Sequence, residues 1–222
     1  MSNLAVQLRN CAIATAVGFS SGLVTCVALV LFPTPAAFAF MGVVFALFMS
    51  MYFWWGESCH SVGRTFGFLV VASSAFAVAI FASFLGAQIA GSGEGRYLWR
   101  DVFFVSGFLG TFVVVLARLF IVYDSQSFGQ LAWKIIAISI FGAILGAASD
   151  SISSVVGLQV GRLFQSLNLI TTMNSNIVAA PRDALRLYSA FMCWQTFIAP
   201  LLVGFFPYSP LRSEVALSPE IS

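Results

Sequence analysis

The chain reads as an all-α, polytopic integral membrane protein of about six transmembrane helices plus one amphipathic helical segment. Three observations predict this. Of its 222 residues, 60% are hydrophobic and only 8% charged, where a soluble domain carries about 25% charged residues. Six apolar stretches fill most of its length, and the charges fall almost entirely between them. A helix needs about 20 apolar residues to cross the hydrocarbon core, so six spans consume most of the chain and leave no room for a sizeable soluble domain.

Residues 1–10 form a short N-terminal segment with Arg9 as its one charge. The apolar run behind it is too long for a cleaved signal peptide and opens the first span, about 11–32. Pro33-Thr34-Pro35 ends that span, because proline cannot continue helical hydrogen bonding. The second span, about 36–55, closes on Tyr52, Trp54 and Trp55, an aromatic belt typical of the headgroup boundary. Spans three to six are expected at about 66–90, 102–123, 131–149 and 187–206. Pro207 and Pro210 close the last, and residues 208–222 read as a disordered tail.

The one long connection, 150–186, carries Ile152, Val156, Leu163 and Leu167 near one helical face. Gln159 interrupts that face. The pattern fits an amphipathic helix that extends span five or lies on the membrane surface. Thr171 to Asn176 is its best candidate for a loop.

Orientation is nearly balanced. Arg9, Arg64, Arg118, Lys134 and Arg212 fall on one side, and Arg96, Arg100, Arg162, Arg182 and Arg186 on the other. Arg9 precedes the first span and no charge follows it, which breaks the tie toward cytoplasmic termini. A bacterial inner membrane is the expected location. If residues 150–186 were cytoplasmic, the topology would invert.

The cysteines and the glycine-rich loop carry no signature of chemistry. Cys11, Cys26, Cys59 and Cys193 form no CxxC pair, so neither a disulfide framework nor a metal site follows. Gly91 to Gly95 lacks the GK[ST] ending of a phosphate-binding loop. No catalytic signature is present, and no cofactor is expected. A net charge of +2 does not suggest nucleic-acid binding.

Four groups of residues remain as candidates. Small residues recur every four positions at Ala14, Gly18 and Gly22, at Ala75, Ala79, Ser83 and Ala87, and at Gly142, Gly146, Gly157 and Gly161. Such stripes let helices approach closely, within the chain or in a homo-oligomer. Glu57, His60 and Arg64 would share one face of a helix and could meet a soluble partner. Gln195, Thr196 and Pro200 are polar or helix-breaking within span six, and with Arg118 they could line a pathway. Arg118 and Lys134 lie a few residues inside spans, where their stems could snorkel to the headgroups. Arg118 could instead pair with Asp124 or a lipid phosphate. These features predict a non-enzymatic membrane subunit (a scaffold, anchor or sensor) that forms a homo-oligomer and acts with a soluble protein. Resident proteins of bacterial stress or phage-defence systems share this profile. The alternative is a channel or small-molecule transporter.

Overall fold

In the computed structural model, which describes residues 3–31, 35–89, 98–122, 128–166 and 181–207, the chain folds into six helices. They are α1 (Asn3–Leu31), α2 (Pro35–Trp55), α3 (Val62–Ile89), α4 (Leu98–Ile121), α5 (Phe128–Ser166) and α6 (Pro181–Phe205). No strand occurs among the described residues. Four helices hold stretches long and apolar enough to cross a membrane, at Leu4–Ala28, Val62–Ala79, Phe103–Ile121 and Gly129–Ala148. Phe40–Trp55 and Ser189–Phe205 are apolar but shorter.

Local chemistry explains where the helices begin and end. Pro35 and Pro181 open α2 and α6, where a proline's missing N–H costs nothing. Ser61 caps α3. Its carbonyl accepts from Thr65 N–H at 3.0 Å and its hydroxyl from Arg64 N–H at 3.5 Å. Gly56 follows the last residue of α2, and Ser58 takes a left-handed φ of 56°. That conformation costs energy in a non-glycine residue and turns the chain sharply back toward the bundle.

Each helix packs on its neighbours in chain order, and α6 returns to α1, so the six close into an up-and-down ring. Both described ends of the chain lie at one end of it. There Gln7 Nε2 donates to the Gly204 carbonyl at 3.0 Å, and Tyr52 donates to the Asn10 carbonyl at 3.3 Å. The α2–α3 connection, the end of α4 and the start of α5 reach the same end.

Aromatic rings fill the interior. Phe45 and Phe76, from α2 and α3, pack 5.9 and 5.4 Å from Trp194 of α6, and Phe53 meets Phe68 edge-on at 4.8 Å. Large apolar side chains also point outward, among them Phe19, Phe40, Phe66, Phe81, Trp133 and Ile144. Helices that are apolar all round suit a lipid solvent.

α5 runs unbroken for 39 residues, about 58 Å at 1.5 Å per residue. The segment expected to extend span five or lie on the surface therefore continues α5 as helix through Ser166. Thr171 to Asn176 and the tail lie outside the described residues.

Candidate functional site

The most unusual group in the bundle is Arg118, in the last turn of α4. Its side chain is 0% exposed although it carries a full charge. Burying an arginine alone in an apolar interior is costly, so such a charge persists only with partners. Here it has three. Nη2 lies 2.8 Å from Oε1 and 2.7 Å from Oε2 of Glu57. Nε and Nη2 both donate to the Phe206 carbonyl, at 3.2 and 2.7 Å. The guanidinium also lies over the Phe53 ring, 4.2 Å from its centre. Nη1 is buried with no hydrogen-bond partner.

The sequence around each partner explains the clasp. Glu57 follows the end of α2, where Gly56 N–H and Glu57 N–H both reach the Tyr52 carbonyl and Cys59 N–H reaches that of Phe53. With the left-handed turn at Ser58, these bonds fold the connection under the bundle and leave the Glu57 side chain 3% exposed. Phe206 follows α6 immediately before Pro207, so its carbonyl has no later helical N–H to accept from. Burial pushes the Glu57 carboxyl above its ordinary range, and the charge and hydrogen bond of Arg118 oppose that rise.

This arrangement corrects two expectations. Arg118 does not snorkel. Its ion-pair partner among the described residues is Glu57, and Asp124 lies outside them. Glu57, His60 and Arg64 also do not share a helical face, because the chain is non-helical from 56 to 61. Glu57 turns inward. His60 is exposed, edge-on to Trp54 at 5.4 Å, and Arg64 is half-buried in the first turn of α3. The glycine directly after the Trp54-Trp55 belt was the available signal that α2 stops before Glu57. Lys134 keeps its ammonium 5.7 Å from the Phe206 ring centre.

The proposed pathway residues do not converge. Gln195 is fully buried at the α1–α6 contact, where Ser21 Oγ donates to its Oε1 at 2.8 Å. Thr196 Oγ1 donates to the Met192 carbonyl of its own helix at 2.7 Å. Cys11 Sγ lies 3.7 Å from the Pro200 carbonyl. Arg118 sits at the end of the bundle, about 16 Å along α6 from Gln195 when counted at 1.5 Å per residue to Phe206.

Four of the candidate packing glycines meet other helices of the same chain. A methyl group on Gly22 would lie 2.7 Å from Met192 Cα, and one on Gly18 would strike the Gln195 carbonyl. Gly142 abuts Thr111 of α4, and Gly146 abuts the Phe103 carbonyl. These faces are taken by intramolecular packing and lend no support to an oligomer interface. Gly157 and Gly161 lie further along α5, where only the course of the helix is described.

Among the described residues, no three of His, Cys, Asp or Glu gather into a possible metal site. No family model matches the chain, and no curated protein or solved structure is similar to it. The fold and site therefore define a class only: an all-helical protein compatible with a membrane, with a buried arginine–glutamate clasp at one end.

Proposed function

We propose that this protein is a non-enzymatic integral membrane subunit, a scaffold or anchor that works with a soluble partner. In this reading all six helices span the membrane, the termini are cytoplasmic and copies associate into a homo-oligomer. The setting, a bacterial inner membrane and a stress or phage-defence role, rests on composition alone.

One observation carries the choice of scaffold over transporter. Phe45 of α2 and Phe76 of α3 pack on Trp194 of α6, and all three are buried inside the ring, where a pathway through one chain would run. Gln195 Oε1 and Thr196 Oγ1 are engaged, one between helices and one along its own helix, while Gln195 Nε2 is buried with no hydrogen-bond partner among the described residues. The charged clasp joins α4, the α2–α3 connection and the end of α6, which suits a firm platform. That platform presents Arg9, His60 and Arg64 outward or partly outward.

The test is gentle purification followed by two substitutions. Arg64→Glu should weaken capture of a co-purifying protein while leaving expression intact, since a partly exposed charge at a helix end contributes little to stability. Gln195→Leu should leave capture unchanged. Solute flux in protein-only liposomes, abolished by Gln195→Leu, would instead establish the transporter reading.

A further inference from the structure

The contact between α1 and α6 holds polar groups that the two helices do not satisfy between them. Ser21 Oγ lies 2.8 Å from the Gly18 carbonyl and 2.8 Å from Gln195 Oε1. A hydroxyl has a single proton to donate to these two acceptors. If the proton goes to Gln195, the amide Nε2 is buried with no hydrogen-bond partner among the described residues. If it goes to Gly18, the amide turns over and Nε2 donates to Ser21. Oε1 then takes the place that Nε2 held. Either assignment leaves one polar end of Gln195, a fully buried side chain, without a partner.

Thr25 adds a second such group. It follows Ser21 by four residues, so the two share a face of α1, and it is 2% exposed with Oγ1 unpartnered among the described residues. A helical threonine can return its hydroxyl to the carbonyl four residues back, as Thr15 does to Cys11 and Thr196 to Met192. Thr25 does not. Ser21 and Thr25 are about 6 Å apart along the axis at 1.5 Å per residue, about the length of two hydrogen bonds in series. Gly18 and Gly22 bring α1 against the backbone of α6 here, so a guest between them is small. The groups that face it are a neutral amide and a neutral hydroxyl. An ion would keep its charge uncompensated there, whereas a water can accept from one group and donate to the other.

We propose that α1 and α6 bind one buried water between the Gln195 amide and the Thr25 hydroxyl. The test uses the full-length protein in phosphatidylcholine nanodiscs and reads the effect of Thr25→Val in two backgrounds. Valine keeps the shape of threonine and removes only the hydroxyl. In the parent chain the substitution should lower the Tm, because the water loses a partner. In a Gln195→Met background, where the water is already gone, it should leave the Tm unchanged or raise it. Radiolytic footprinting gives a second measurement, since a water activated in place by an X-ray pulse oxidises the side chains beside it. Met192 packs against Gly22 three residues before Gln195, and both it and Met49 of α2 are buried. Met192 should be oxidised well above Met49, and Thr25→Val should bring it down to the level of Met49. Should Gln195→Met fail to fold, Thr25→Val alone still decides through its Tm and its footprint. A raised Tm for Thr25→Val in the parent chain would mean that its hydroxyl has no partner, and an equal loss in both backgrounds would mean that it does not act with Gln195. Either result, or Met192 oxidised no more than Met49, overturns the proposal.

Discussion

Removing either partner of the clasp leaves the other charge buried without compensation, so the two single losses should be similar and large. Arg118→Ala or Glu57→Ala is expected to lower stability by about 3–5 kcal/mol, the range for breaking a buried ion pair. The double substitution Arg118→Met with Glu57→Gln should recover most of that, because neither residual group is charged. Thermal unfolding in detergent would decide, and a double variant no better than the singles would show that the Phe206 carbonyl contact dominates. The pair also sets a pH dependence. The Glu57 carboxyl is raised above its ordinary value of 4.5 by burial. From that ordinary value up to the raised one, the folded protein keeps a proton that the unfolded chain releases. Stability contributed by this group is therefore full at low pH and is lost as pH rises through that window. Glu57→Gln should remove this part of the slope, and an unchanged slope would assign it to other carboxyls.

At the scale of helices, the small-residue stripes can be sorted by what each glycine touches. Gly142→Leu with Gly146→Leu forces bulk into the backbone of α4, and a loss of about 3 kcal/mol or failure to fold is expected. Gly63→Leu and Gly129→Leu meet open space and should each stay within about 0.5 kcal/mol of the parent. Equal effects of the two sets, measured by unfolding or by yield of folded protein, would refute close α4–α5 packing. The helices themselves were legible in the sequence. The second span was expected at 36–55 and α2 runs Pro35–Trp55, because proline before it and glycine after it stop a helix through local chemistry. Which helix faces a stripe was not legible, since a small residue permits close approach without naming the neighbour. Nor was the partner of Arg118. Glu57 lies 61 residues away in sequence, and its inward turn depends on the left-handed conformation of Ser58, which no residue pattern announces.

For the whole molecule, the ring topology makes a strong statement about sidedness. The starts of α1, α3 and α5 and the ends of α2, α4 and α6 share one end of the bundle, tied by contacts from Gln7 to Gly204 and from Arg118 to Glu57 and Phe206. Arg9, Arg64, Arg118 and Lys134 all lie at that end. Among the described residues the clasp neutralises only Arg118 with Glu57. With Lys and Arg balanced between the two ends, Arg9 ahead of the first helix favours placing this end in the cytoplasm. Trp55 and Trp133 are exposed there, as expected for rings at the headgroup level. Cys59 would be a natural reporter, but it is 0% exposed and should resist thiol reagents from either side while the clasp holds. His60 and Arg9 are exposed and make better sites. In a background lacking the four native cysteines, His60→Cys and Arg9→Cys should both react with a membrane-impermeant maleimide in inverted vesicles and not in intact cells. Reaction of both in intact cells would invert the orientation and keep the ring. Reaction of one on each side would break the ring itself, because Tyr52, at the end of α2, bonds to Asn10, beside Arg9.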